Sequence, residues 1–150
     1  MDRSFVENNH RQLKRLQAFA AQVTDEELVA PMPAGWNPAS VLAHLAFWDH
    51  RALLLIERWQ KEGFNESPLD TDLVNEVTRY FFVNLPPREA LRLALESAEA
   101  IDQVLAALDH EFIESMRANG RAVQVDRGRH RGNHLDEIER VIGKSYSASA

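Results

Sequence analysis

Histidines carry most of the chemistry that this sequence offers, and there are six of them: His10, His44, His50, His110, His130 and His134. His130 and His134 are four residues apart, a spacing that places both imidazoles on one face of a helix, where they can share a metal ion. A solvated helix face that binds no metal shows the same spacing. The pair alone therefore leaves both interpretations open.

His44 favours the metal interpretation. It lies in an otherwise apolar segment, close to Val41, Leu45 and Trp48, and is therefore predicted to point into the core. A buried imidazole needs a polar partner, because an unpaired polar group in an apolar environment costs free energy. That partner could be a carbonyl or carboxylate, as for an ordinary core histidine, or a metal ion.

The other three histidines are less suited to ligation. His50 falls on a different face of the helix from His44 and is expected at the surface or at an interface. His10 is predicted to be structural, with a supporting role beside the metal ligands as the alternative. His110 lies near a helix end and is expected to be structural or exposed.

Apolar residues at helical spacing predict the elements that must position these side chains. A first helix is expected over residues 5–23, started by a capping box of Ser4 and Glu7. A second is expected over residues 38–62, with Asn37 as its cap. Residues 73–83 are predicted to form a short helix, and residues 87–108 are predicted to form the third long helix.

The last long helix is supported from Leu135 onward, whereas Gly128 and Gly132 weaken its start. Residues 109–126 have a mixed pattern, with a short extended piece at 122–125, and residues 145–150 are expected to fray. The sequence therefore predicts an all-α, antiparallel four-helix bundle with an additional short helix, as one domain over residues 1–150.

Composition excludes several classes of protein. The 150 residues include no cysteine, which rules out disulfides, cysteine zinc sites and cysteine nucleophiles. A net charge of −6 argues against nucleic acids and anionic membranes as partners. The N-terminus lacks the apolar core of an export signal, and the most apolar stretch is interrupted by charges, so a cytoplasmic location is predicted.

Three stretches resemble the DinB-like four-helix proteins. The first is Trp-Asn-Pro-Ala-Ser-Val-Leu-Ala-His-Leu-Ala-Phe-Trp at residues 36–48, and the second is the spaced pair His130 and His134. The third comprises residues 72–76 followed by 86–91. That superfamily includes YfiT-type proteins regarded as metal-dependent hydrolases, bacillithiol transferases and the metal-binding domain of mycothiol-dependent maleylpyruvate isomerase. The resemblance implies that His44, His130 and His134 converge as ligands of one metal.

Three imidazoles with an open coordination position suit Zn²⁺, Ni²⁺ or Fe²⁺, and such a site is typical of catalysis. It would either activate water to hydrolyse a small electrophile or, as the resemblance implies, hold the thiolate of a low-molecular-weight thiol for S-transfer. Glu137 faces the same sector as His130 and is the candidate base, a surface carboxylate being the alternative. Candidate pocket residues are Trp36, Trp48, Asn75 and Tyr80.

Five arginines lie within residues 117–131 and form a basic island that could attract an anionic cosubstrate or simply be solvated and salt-bridged. A homodimer is expected, since two-fold symmetry is commonest, with an α-helical flank of His50, Leu54, Arg58 and Trp59 available for it. The alternative functions are a non-catalytic bundle that binds or sequesters small molecules and a stress-related dimer.

Overall fold

The computed structural model describes residues 2–120 and 123–146. That part of the chain is all-α, as predicted, with a 3₁₀ turn at Pro33–Gly35 and no strand. Its helices are α1 (Ser4–Gln22), α2 (Asp25–Leu28), α3 (Pro38–Glu62), α4 (Thr71–Phe82), α5 (Pro87–Ala107), α6 (His110–Ala118) and α7 (Arg127–Ile142).

The long helices α1, α3, α5 and α7 form a four-helix bundle in which α3 packs on α5, α5 on α1, α1 on α7 and α7 on α3. Helices α1 and α5 are antiparallel, because Arg3 at the start of α1 donates to the carbonyls of Ala106 and Leu108. Helices α3 and α7 are also antiparallel. The neighbours α1 and α7 run parallel, with Asn8 bonded to Asp126.

Helix α4 explains why α3 and α5 also run parallel. It runs antiparallel to α3 along its surface. The indole Nε1 of Trp48 donates to Oδ1 of Asn75 over 3.0 Å, and Phe82 at the end of α4 packs near Phe47. The chain therefore returns to the end at which α3 began before α5 starts. A crossover of this kind is what parallel neighbours in a bundle require. The predicted antiparallel arrangement thus describes two of the four neighbouring pairs.

The start of α3 follows the prediction. Asn37 Oδ1 accepts from the Ser40 N–H over 2.8 Å, and Ser40 Oγ accepts from the Asn37 N–H over 2.9 Å. The capping box predicted for α1 is wrong: Ser4 is already helical, and its N–H donates to Asp2 over 2.8 Å. Asp2, two residues earlier, therefore takes the Ser4 N–H that the Glu7 side chain was expected to accept from.

Residues 109–126 contain a helix that their mixed pattern did not reveal. Asp109 caps α6 by accepting from the Phe112 N–H over 2.7 Å. The extended piece predicted at 122–125 is not a strand at residues 123–125, and Ala122 lies outside the described residues. Val123 and Val125 instead pack beside Met116, so burial of their side chains accounts for their apolar character.

The predicted frayed tail is wrong for Tyr146, and residues 147–150 lie outside the described residues. Tyr146 is 3% exposed, and its ring meets Phe19 edge-on with centroids 5.1 Å apart. Its hydroxyl donates to Glu27 over 3.1 Å. An aromatic ring with a satisfied hydroxyl is enough to pin this segment to the bundle.

Helix α3 is long and apolar enough to cross a membrane, with a mean hydropathy of 1.2 in its most apolar window. However, 67% of that window is buried inside the protein. Its apolar character is therefore that of a core helix, which packs against α5, α4 and α7.

Gly128 allows α7 to approach α1 closely. A Cβ atom at this position would lie 2.6 Å from the carbonyl oxygen of Asn8, and the Gly128 N–H donates to Oδ1 of Asn9 over 2.7 Å. Gly128, which weakens the intrinsic helix propensity of α7, is therefore needed for packing. The atoms nearest to a Cβ at Gly132 all belong to the side-chain end of Gln12, the closest of them at 3.0 Å.

We expect Gly128→Ala to destabilise the protein by about 2 kcal/mol, although alanine normally favours a helix over glycine by about 1 kcal/mol. The added methyl group has to displace backbone at Asn8. Urea denaturation measures the change in the free energy of unfolding. Gly132→Ala is the matched control and should be near neutral, since Gln12 can move; equal effects of both substitutions would contradict the close-approach explanation.

Candidate metal centre

The candidate site forms where antiparallel α3 and α7 face each other. Helix α3 contributes His44 from its buried face, and α7 contributes His130 and His134 from two successive turns. The i, i+4 spacing brings the α7 pair onto one face, and the antiparallel packing places that face opposite His44. Residues from two distant parts of the sequence therefore converge.

The three imidazoles are close enough to share an ion. The ring centroid of His44 lies 5.3 Å from that of His130 and 4.8 Å from that of His134, and the α7 pair is 4.8 Å apart. One nitrogen from each ring can be chosen so that all three lie within 4.8 Å of one another. His44 is buried, while His130 and His134 are partly exposed to the cleft. This cluster could hold a metal ion.

Burial keeps two of the three rings neutral. It lowers the pKa of His44 to about 4, assisted by the nearby charges of His134 and Arg127. It likewise lowers the pKa of His130 to about 3, with further contributions from His134 and Arg127. A metal ligand must offer a lone pair, so lowered pKa values prepare these rings for coordination near neutral pH.

Hydrogen bonding around the rings also fits a metal centre. Nδ1 of His134 lies 3.2 Å from Oε2 of Glu137, an arrangement that fixes a ring orientation when the imidazole carries its proton on Nδ1. Nδ1 of His44 is buried and has no hydrogen-bond partner in the part of the chain that the structure describes. Such an orphaned nitrogen is uncommon among buried polar atoms, and a bound cation would give that ring a partner.

The histidines lie in an open cleft of about 1010 Å³. Trp36 and Trp48 wall it, and their rings meet His44 edge-on at centroid distances of 5.6 and 6.4 Å. Asn75 reaches the cleft and holds the Trp48 indole. Further lining residues are Met32, Pro33, Val41, Thr71, Gln124, Arg127, Arg129, Asn133, Glu137, Arg140 and Val141.

Tyr80 is the predicted pocket residue that the structure does not bring to the cleft. It is 69% exposed and lies on the outer face of α4, with its ring edge-on to Phe81. Asn75 lies on the opposite side of α4 from Tyr80 and faces α3. The sequence predicted both residues in the pocket, but the two faces of this amphipathic helix separate them. His10 and His50 are exposed, and His110 begins α6.

A buried group of ion pairs lies beneath the histidines. Asp49 on α3 accepts from Nε of Arg127 over 2.7 Å and lies 3.5 Å from Nη2 of Arg131. Arg131, only 1% exposed, also forms a two-pronged contact with Asp102 on α5, over 3.0 and 3.1 Å. These ion pairs connect α7 to α3 and to α5. The two arginines involved, Arg127 and Arg131, precede and follow His130 along α7.

Sequence reasoning missed this network, which we call the Asp49 network: Asp49, Asp102, Arg127 and Arg131. The basic island that contains these arginines was interpreted by preference as a solvated loop with salt bridges to the acidic remainder. Arg127 and Arg131 do form salt bridges, but both side chains are buried rather than solvated. A usable signal was present, because Asp49 occurs in the most apolar helix, where a carboxylate requires a buried cation. The sequence gives no means of identifying that cation without the fold.

We expect the metal-free protein to lose stability as the pH falls from about 6.5 toward 4. The pKa of His44 is lower in the folded state, so the unfolded chain binds more protons in that range and is favoured there. Urea denaturation of chelator-treated protein at several pH values measures this slope. His44→Asn should reduce it, and parallel curves for the variant and the parent would contradict the effect of burial.

We expect Asp49→Asn to lower the free energy of unfolding by about 3–5 kcal/mol, because breaking a buried ion pair leaves a guanidinium without its counter-charge. Glu96→Gln is the matched control: its carboxylate is 59% exposed in a surface pair with Arg92, so the expected loss is under about 1 kcal/mol. Urea denaturation compares the two, and similar small losses would show that the network contributes little.

Comparison with known proteins agrees with this geometry. The family model of the DinB superfamily matches residues 9–132, a span that includes His44 and His130 and ends two residues before His134. Searches of curated proteins and of solved structures found no match. The family match covers well over half of the chain and includes most of the bundle. The chain therefore belongs to the DinB superfamily.

Proposed function

We propose that this protein is a metal-dependent enzyme that performs thiol S-transfer to, or hydrolysis of, a small electrophilic molecule. The observation that supports this most directly is the convergence of His44, His130 and His134 in an open, largely apolar cleft. Neutral imidazoles select divalent transition metals such as Zn²⁺, Ni²⁺ or Fe²⁺ over Mg²⁺ and Ca²⁺.

The residues present fit such an ion. His44 and His130 have lowered pKa values, so an ion entering at neutral pH need not displace protons from them. Glu137 can hold the proton on Nδ1 of His134, which leaves Nε2 of that ring with its lone pair. When bound, the ion supplies Lewis acidity to one oxygen or sulfur of a reactant.

Glu137 is the best-placed group for moving a proton. Its carboxylate contacts His134 through Oε2 and lines the cleft, with its side chain 48% exposed. The other oxygen is therefore available to accept a proton from a thiol or a water molecule next to the histidines. This supports the predicted base, and the contact with His134 gives Glu137 an orienting role as well.

The walls of the cleft indicate what kind of molecule would bind. Met32, Trp36 and Val41 offer an apolar surface, whereas Arg129 and Arg140 bring positive charge to the α7 side. A small molecule with an apolar part and an acidic group satisfies both. A low-molecular-weight thiol that carries carboxylates is such a molecule, which favours the S-transfer route, and it would fit the predicted cytoplasmic location, where thiols remain reduced.

A non-catalytic role is the second candidate, because an apolar cleft of this size can bind a small molecule without any chemistry. The two functions differ in their dependence on metal. An enzyme should lose turnover when the metal is removed, whereas a binding protein that relies on Trp36 and Trp48 should retain its ligand in the presence of a chelator.

We expect tag-free protein to bind about one Zn²⁺, Ni²⁺ or Fe²⁺ per chain and His44→Ala and His134→Ala to lose it, since each removes one of three ligands. Elemental analysis after gel filtration measures the content. His50→Ala is the matched control, because His50 is exposed on the same helix as His44. A parent protein without metal after incubation with each ion would overturn the proposal.

Metal-loaded protein would then be supplied with electrophiles in the presence and absence of thiols. Turnover that requires a thiol supports S-transfer, and turnover in water alone supports hydrolysis. Glu137→Gln should lower kcat while retaining metal, because the amide keeps a contact to His134 but cannot accept a proton. No turnover by either route, together with chelator-resistant binding of apolar ligands, would support the binding role instead.

A further inference from the structure

The outer face of α4 carries an apolar surface that the cleft does not use. Leu73, Val77 and Phe81 recur every fourth residue and are 54, 51 and 61% exposed, respectively. Together with three further exposed apolar residues around the helix they form what we call the α4 stripe, which consists of Leu69, Leu73, Val77, Tyr80, Phe81 and Val83.

The inner face of α4 already has its partner. Asn75 bonds to Trp48, Phe82 packs near Phe47, and both contacts are with α3. None of the twelve residues of α4 is fully buried. A helix of this length is marginal in water without packing on its apolar face, so one covered side and one uncovered apolar side leave α4 incompletely stabilised.

The size of the stripe is close to that of half an interface. Six large side chains at these exposures present about 600 Å², at the upper end of what monomers expose as one patch. A stable interface buries about 800 Å² per partner, which the stripe and its polar margin would supply. Scattered surface apolar residues, by contrast, do not line up at helical spacing.

The residue order along the stripe makes it complementary to itself. Among the three residues spaced four apart, Val77 is the smallest and lies at the centre, with Leu73 one turn before it and Phe81 one turn after it. If two copies pack antiparallel about an axis at Val77, each Leu73 meets the partner's Phe81, and the two valines allow the helices to approach.

Charge favours the same antiparallel pairing. The stripe contains no charged side chain. Asp70 and Asp72 lie at the start of the helix and Arg79 lies in its second half, whereas Glu76 is exposed at the centre, beside Val77. Parallel packing would place the acidic starts of the two helices side by side. Antiparallel packing separates Asp70 and Asp72 of one copy from those of the other and aligns the helix dipoles favourably, while the two Glu76 side chains lie at the exposed margin of the contact.

We propose that the α4 stripe is the interface through which two copies of this chain form a two-fold symmetric homodimer. The flank predicted from sequence on α3 is a weaker alternative: Trp59 is 5% exposed and donates to the Asn65 carbonyl, which leaves Leu54 as its large exposed apolar residue. Thr71 and Asn75 of α4 line the cleft, so association through α4 also stabilises the side of the cleft that α4 forms.

The first test is the mass in solution of the full-length protein and two variants, by gel filtration with light scattering. The parent should give about twice the 17.1 kDa of one chain, and Val77→Glu should give the single-chain mass. Leu54→Glu, at a site 50% exposed on α3, should remain dimeric. Circular dichroism and urea denaturation check that each variant keeps its helical fold.

A single-chain mass for the parent from micromolar concentration upward would overturn the proposal. So would a dimer that survives Val77→Glu or dissociates with Leu54→Glu, because the interface would then lie elsewhere.

The absence of cysteine permits a second, positional test. Val77→Cys should form an intermolecular disulfide under mild oxidation, since the two copies of residue 77 face each other across the axis. Leu54→Cys is equally exposed and should not cross-link at low protein concentration. Equal cross-linking of the two variants would contradict an axis at Val77. Neither test depends on whether the histidines bind metal.

Discussion

The geometry of the candidate metal centre depends on the Asp49 network. Arg127 and Arg131 lie on either side of His130 in α7, and their guanidinium groups are anchored to carboxylates on α3 and α5. Each contact fixes both the distance of α7 from its neighbours and its rotation about its own axis. A small rotation of α7 would turn His130 and His134 away from His44, because the three rings converge only from one helical sector.

The same network affects the protonation of the site. Two carboxylates balance two guanidiniums in the network, yet the positive charge of Arg127 lies next to the histidines, with Nη2 only 3.4 Å from Nδ1 of His130. Positive charge at this position disfavours an imidazolium, in the same direction as burial does. One set of residues therefore holds α7 in place and keeps its first histidine neutral, which links the architecture of the bundle to the chemistry that its cleft can support.

The sequence was informative where local rules apply and silent where distant groups meet. The Asn37 cap, the course of α3 and the i, i+4 histidine pair follow from short-range patterns, and the structure contains all three. Burial of Tyr146 and of the arginines in α7 could not be predicted, since their partners are more than 25 residues away. Tyr80 was misplaced for a related reason: periodicity identifies α4 as amphipathic without revealing which side faces the cleft.

The histidine cluster reduces the stability of the metal-free fold. Burial holds the pKa values of His44 and His130 low, which favours the unfolded chain in acid. Nδ1 of His44 has no hydrogen-bond partner among the described residues, and the charged arginines beneath the rings must be desolvated. A core of apolar side chains at these positions would avoid all three costs. Since local instability of this kind is typical of sites that bind a ligand, the arrangement is better explained by what enters the cleft than by the requirements of folding.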